Sequence, residues 1–413
     1  MRGDEMRDSG ALLGTALGEV AEVAQGMHRA VAGRLFGLLG SPAAPVRLMH
    51  DGISTLAYAS ARIGMRVVPA AAGYVADAAS DPAAGSAHDS LVGHAGLSAL
   101  NGWMGDRLTT HRPALALDMR IRTHTGPLRR LPENVVHDVG SAATGRVVLF
   151  LHGLVENSRF WSIGADKAFG DPDATYGSML RDDDGWTPLY VSFNTGLHIS
   201  SNGHELADQI DKLVAAWPVA VEEIALVGHS AGGLVARSAA VSAAARQHDW
   251  IADLRHVVTL GAPHLGAGLE RFANFGTHAL SRLPETRPLA RWLNRRSVGI
   301  KDLRYGSVVD EDWTGFDPDE RLRDRTTQTE PVPGVGYYAV SATLTRSPLG
   351  RLDPLGDLLV THDSATATGR RRQIPFHATL HVGGRSHFHL LADTEVYRHI
   401  RSWLAGDLLP VSG

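Results

Sequence analysis

Ser230 sits in Gly228-His-Ser-Ala-Gly232-Gly233, directly after the apolar run 224–227 and directly before Leu234-Val-Ala-Arg-Ser-Ala-Ala. A Gly-x-Ser-x-Gly pattern says little as bare text. Between a strand and a helix it says much more, because the glycines allow a tight, strained turn that lifts the serine hydroxyl clear of a sheet. At the start of a helix the unpaired N–H groups and the positive end of the dipole also favour a developing anion. A serine hydroxyl alone is a poor nucleophile at neutral pH. It needs a base to take its proton and a carboxylate to hold that base in the right tautomer.

Four histidines near the end of the chain are candidates for the base: His377, His381, His387 and His389. The first two fall in the strand-like stretch 376–382. Gly383-Gly-Arg-Ser386 follows as a loop, and His387 lies past it, where an imidazole can swing over the nucleophile. His389 is the alternative, and the His387-x-His389 pair also admits a metal reading. That reading has no carboxylate-and-histidine cluster of recognised spacing beside it. Asp353, Asp357 and Asp363 occupy the interval between Ser230 and His387 that a Ser, Asp, His order requires. One oxyanion donor is expected from the backbone N–H of Ala231, the residue after the nucleophile, and the other from the loop after Leu151-His-Gly. His152 reads as a brace for that loop. Asn194-Thr-Gly-Leu-His-Ile-Ser-Ser-Asn202 and His264 read as scaffold.

Leu151-His-Gly-Leu154, Gly228-His-Ser-Ala-Gly-Gly-Leu-Val-Ala-Arg237, Thr259-Leu-Gly-Ala-Pro-His-Leu-Gly266, Gly356-Asp-Leu-Leu-Val360 and Ser386-His-Phe-His-Leu-Leu391 occur in that order. Across residues 145–405 the sequence resembles the α/β-hydrolase superfamily, and within it the bacterial lipase and esterase-like branch, similar to hydrolases of the GPI inositol-deacylase type. The resemblance implies ester hydrolysis, with Leu154 as the second oxyanion donor and His387 as the base. It favours Asp357 as the acid, since Gly356-Asp-Leu-Leu-Val is similar to the Gly-Asp-Gly-x-Val block of lipases. Leu358 stands where that block has its second glycine. No cofactor or metal is implied.

A mainly parallel sheet must position these groups. The apolar runs 147–151, 189–193, 224–227, 257–260 and 337–340 alternate with helical segments, as strands buried on both faces do. Leu115, Leu117, Met119 and Ile121 alternate with polar or small residues, which predicts a further half-buried strand. Before it, residues 11–39 and 53–79 carry apolar residues at helical spacing, the second with a break near Pro69, and 90–108 resumes a helical pattern. These spacings predict an N-terminal helical extension over 1–112 and a mainly parallel α/β domain over 113–413, which the resemblance implies is an α/β-hydrolase domain. A cap or lid insertion is expected at about 267–333, its apolar helical part over 269–293. The N-terminal stripes are expected to pack against the main domain or each other, with membrane docking as the rival reading.

The 413 residues are 44% hydrophobic and 20% charged, enough for a sizeable core and too apolar for a mainly disordered chain. A net charge of −4 leaves no basic excess for a nucleic-acid backbone. The absence of Cys excludes disulfides, thiolate metal sites and a cysteine nucleophile. The start, MRGDEMRDSG, mixes both charge signs where a secretory signal has a basic region and an apolar core, and no run reaches the ~20 residues of a spanning helix. A cytoplasmic protein, with peripheral membrane contact through its N-terminal helices as an option, is therefore expected. The expected function is a serine hydrolase acting on carboxylic esters, small-molecule or lipid. A peptidase, thioesterase or acyltransferase with the same triad is the nearest alternative, and a non-catalytic binding protein on a hydrolase scaffold the more distant one.

Overall fold

The computed structural model describes residues 1–39, 44–81, 85–88, 90–267, 284, 287–288, 295–317, 324–346, 356–369 and 372–407. Asp353 and almost all of the expected cap helix at 269–293 lie outside the described residues. The chain forms two compact units. The first is Met1–Leu97, Arg107–Ala116 and Phe272–Arg296, and the second Ser98–Asp106, Leu117–Arg271 and Ser297–Gly413.

In the first unit α1 (Gly3–Leu39) and α2 (Ala44–Ala78) form a long antiparallel hairpin, followed in the chain by α3 (Leu91–His111). The hairpin closes through its small residues. A methyl group on Gly10 would lie 2.4 Å from the carbonyl oxygen of Pro69, so only glycine permits that approach. The larger residues are therefore left outside. Leu13, Leu17, Val20, Met27, Val31 and Leu35 on α1 are exposed, as are Met49, Ile53, Leu56, Ile63, Val67 and Tyr74 on α2. The stripes read as packing faces thus point away from the hairpin contact. The expected break at Pro69 is also absent, since α2 runs through it. A proline removes one helical hydrogen bond, which contacts along the hairpin offset.

The second unit carries, in chain order, β1 (Arg120–Arg122), α4 (Pro132–Val139), β2 (Arg146–Leu151), α5 (Ala165–Phe169), α6 (Tyr176–Asp184), β3 (Thr187–Ser192), α7 (Ile199–Ala215), β4 (Glu223–His229), α8 (Ala231–Arg246), β5 (Leu254–Leu260), α9 (Val298–Asp302), β6 (Gly336–Thr343), α10 (His362–Ala365), β7 (Ala378–Gly383) and α11 (Thr394–Leu404). The strands form one seven-stranded sheet in the order β1-β3-β2-β4-β5-β6-β7. Only β1 is antiparallel. Alternate strand residues feed two cores. Val147, Leu149 and Leu151 pack with α7 and α8 on one face, while Val148 and Phe150 pack with α6 and α11 on the other. Double-sided burial is why these strands read as unbroken apolar runs.

The predicted strand over 115–121 is shorter than its alternation suggests. Pro113–Leu115 is a 3-10 turn, the Leu117 N–H donates to Asn101 Oδ1 at 2.9 Å, and only Arg120–Arg122 pairs with β3. Leu115, Leu117, Met119 and Ile121 are all buried, so their pattern reports burial over a stretch of which only the end joins the ladder.

Candidate active site

Ser230 follows β4 and opens α8, with φ 53° and ψ −123°. A non-glycine residue in that region costs of order 1–3 kcal/mol and persists only where the surroundings over-determine it. The N–H of Ser230 donates to the carbonyl of Leu260 on the neighbouring strand at 2.8 Å. A Cβ on Gly228 would lie 2.4 Å from the backbone of Gly232, and one on Gly232 would lie 2.4 Å from the carbonyl oxygen of Leu151. Both glycines are therefore steric requirements of the turn. Ser230 itself is 9% exposed.

His387 lies in the loop after β7, 2% exposed, and its Nδ1–H donates to Asp357 Oδ2 at 2.6 Å. The His387 N–H also donates to the Asp357 carbonyl at 3.1 Å, so main chain and side chain are held by one partner. Asp357 is 1% exposed, and its second oxygen accepts the N–H groups of Leu359 at 3.0 Å and Val360 at 2.8 Å. That turn needs a left-handed residue at 358, and Leu358 takes it at φ 91°. The leucine that departs from the lipase block thus adopts the backbone a glycine would. Among the described residues, His387 Nε2 is buried without a hydrogen-bond partner. The His387 ring also lies against the Ser230 turn. A Cβ on Gly261, next to the Leu260 that holds Ser230, would be 3.1 Å from its ring, and the ring of His229 is 4.6 Å away centroid to centroid.

The other candidates have other partners. Ser386 Oγ and His389 Nδ1 are 2.7 Å apart, and the exposed His389 caps its own turn. His381 Nε2 meets Thr343 Oγ1 at 2.8 Å, and His377 Nδ1 accepts the Tyr337 N–H at 3.0 Å. Asp363 sits half-buried in the first turn of α10. Buried His264 is wedged between Thr259 and Arg237, where burial first and the Arg237 and Arg372 charges second hold it well below the usual histidine range.

Leu154 and Ala231 lie respectively in the loop after β2 and at the first position of α8. His152 braces that loop. Burial lowers it to about 4, so the ring is neutral, its Nδ1–H donating to the Gly153 carbonyl at 2.9 Å and its Nε2 accepting the Phe193 N–H at 3.3 Å. Its ring stacks on Phe193 at 4.4 Å. Two residues escape a reading of the sequence for the site: Glu156 and His229. The carboxylate of Glu156 accepts the Gly153 N–H at 2.6 Å and lies 3.0 and 3.1 Å from His229 Nδ1. A lone Glu in a loop has no spacing to announce it; only its burial does.

Loops after β2, β4, β6 and β7 converge at the carboxyl ends of parallel strands, where open α/β sheets hold their ligands. Strand order and the strand–turn–helix elbow give this domain the α/β-hydrolase fold. Residues 142–327 match the PGAP1-like alpha/beta domain family. No curated protein matches the sequence. Among solved structures the chain is similar to the Bacillus licheniformis lipase BlEst2 in mature form, at 19% identity and a TM-score of 0.39, over 61% of this chain and 89% of that one. It is also similar to the Pyrobaculum calidifontis esterase, at 17% identity and 0.34, over 70% and 83%. For EstA from Clostridium botulinum the figures are 12% and 0.36, over 66% and 91%. Among the described residues no helix is long and apolar enough to cross a membrane.

Proposed function

We propose that the protein is a serine hydrolase that cleaves carboxylic esters through an acyl-enzyme. Ser230 Oγ attacks the ester carbon, its proton passes to His387 Nε2, and Asp357 holds the imidazole with Nδ1 protonated and stabilises its charged form. The N–H groups of Leu154 and Ala231 receive the oxyanion. His387 then returns the proton to the leaving alcohol, and water repeats the cycle to release the acid. The carrying observation is the 2.6 Å Asp357–His387 bond in a ring 4.6 Å from that of His229, the residue before Ser230, with Nε2 buried and without a hydrogen-bond partner among the described residues. A base without its substrate-side partner is what such a site presents before the nucleophile is engaged.

Labelling with a fluorophosphonate probe tests this. The wild type should label and Ser230→Ala should not; an unlabelled wild type would leave the fold as a scaffold. A series of p-nitrophenyl esters from acetate to long acyl chains would then set the substrate class. The exposed apolar residues of the α1–α2 hairpin support peripheral contact with a lipid surface. Co-sedimentation of the full chain with vesicles, compared with Leu56→Glu/Ile63→Glu, checks that contact, and equal pelleting would remove it.

A further inference from the structure

His229, the middle residue of Gly228-His-Ser, is fully buried, and both its nitrogens are engaged. Nδ1 faces the Glu156 carboxylate, and Nε2 lies 3.2 Å from the carbonyl oxygen of His387. A carbonyl oxygen can only accept, so Nε2 must carry a proton. One further proton is shared between Nδ1 and Glu156. A neutral O–H···N bond would choose one oxygen at short range, whereas Nδ1 sits almost evenly between both, at 3.0 and 3.1 Å. Glu156 moreover accepts the Gly153 N–H at 2.6 Å, a bond that favours the ionised carboxylate.

We infer that Glu156 and His229 form a buried carboxylate–imidazolium pair. It ties the Gly153 loop to the main chain of His387 and sets a fixed positive charge beside the His387 ring. Both are positioning residues for the chemistry proposed above, on which this role rests. Glu156 follows β2, His229 ends β4, and the His387 loop follows β7, so one pair links three separately folded segments around Ser230. The groups facing His229 are Glu156, Asp357, the neutral His152 and His387 itself. Burial works against a charge on His229, but the charge and hydrogen bond of Glu156 outweigh it and raise the imidazole above its ordinary value. Burial likewise opposes the charge on Glu156, and His229 overcomes it, holding the carboxyl below its ordinary value.

Nitrogen-15 spectra of the histidine-labelled full chain read the charge directly, with the His229 signals identified by their loss in His229→Gln. Both ring nitrogens should be protonated at pH 7.5, and Glu156→Gln should leave one of them bare. A singly protonated His229 in the wild type would overturn the pair, whether or not Ser230 labels with fluorophosphonate. Steady-state kinetics test the positioning role. In His229→Gln, kcat should fall at least tenfold with KM within about twofold, and the acid limb of the rate profile should move up by about one pH unit, a tenfold change in proton affinity, because the neighbouring positive charge is gone. A limb that stays in place would refute the electrostatic role, since a merely structural residue changes amplitude alone.

Discussion

The Gly232→Ala substitution tests whether the elbow is as tightly seated as its geometry requires. The added methyl would lie 2.4 Å from the Leu151 carbonyl oxygen and 2.5 Å from that of His152. Both are backbone atoms at the end of β2, so no side chain can rotate away, and the contact is about 1 Å inside the ~3.5 Å of an optimal pair. The start of α8 must therefore retreat from β2. Overpacking of this kind costs roughly 1–3 kcal/mol, which for a domain of this size lowers Tm by about 2–4 °C per kcal/mol. The same retreat separates the Ala231 N–H from the loop bearing Leu154, and a misplacement of about 1 Å is worth about 100-fold in rate. Calorimetry and turnover of a p-nitrophenyl ester would measure both. A variant with unchanged Tm and a kcat within twofold of wild type would refute the reasoning, because the proposed oxyanion donors would not depend on the elbow's approach to β2.

Two further outcomes follow from the environments described. Burial, first among the causes, lowers His152 and His256 to about 4 and holds His264 well below the usual range, so the unfolded chain takes up protons the folded chain refuses. Stability should therefore fall as pH drops from about 6.5 to 4, each tenfold loss of proton affinity in a buried ring costing about 1.4 kcal/mol once the pH lies below it. His229, raised, keeps its contribution throughout that window, and Glu156, lowered, loses its own only below about 4.5. Denaturant unfolding at stepped pH checks this, and a free energy that is flat or rising between 6.5 and 4.5 would contradict it. Leu358→Gly relieves a left-handed φ of 91° at a side chain 57% exposed, and should stabilise by about 1 kcal/mol despite the glycine's extra unfolded freedom. A lower Tm would mean that the leucine side chain packs for a purpose.

Strands β2 to β6 were legible because each is buried on both faces, so every residue in the run answers to a core. The turn at Ser230 was legible for a related reason. It must fit between β2 and α8, and the glycines that allow this are visible as text. Asp357 was less so, since Leu358 hides the left-handed turn that glycine would have advertised. Asp363 competes with it in chain order, and only folding separates the two.

Glu156 and the hairpin mark where one-dimensional reading fails, for opposite physical reasons. Glu156 looks like a surface residue, and the cost of burying its charge is met by His229, 73 residues away in sequence. No local pattern encodes a partner at that distance. In α1 and α2 the pattern is plain but points to the wrong face. Apolar periodicity identifies which residues share a side, while the choice of contact side falls to the small residues, because two helices come closest where side chains are shortest. The large residues then line an exposed surface that costs solvation free energy unless it is covered. A buried acid and an exposed apolar stripe are the same kind of departure from expectation. The first is satisfied inside the fold by a cation beside the candidate nucleophile. The second leaves an apolar surface that the proposed lipid contact would cover, so the hairpin and the candidate active site fit one proposed reading of the chain.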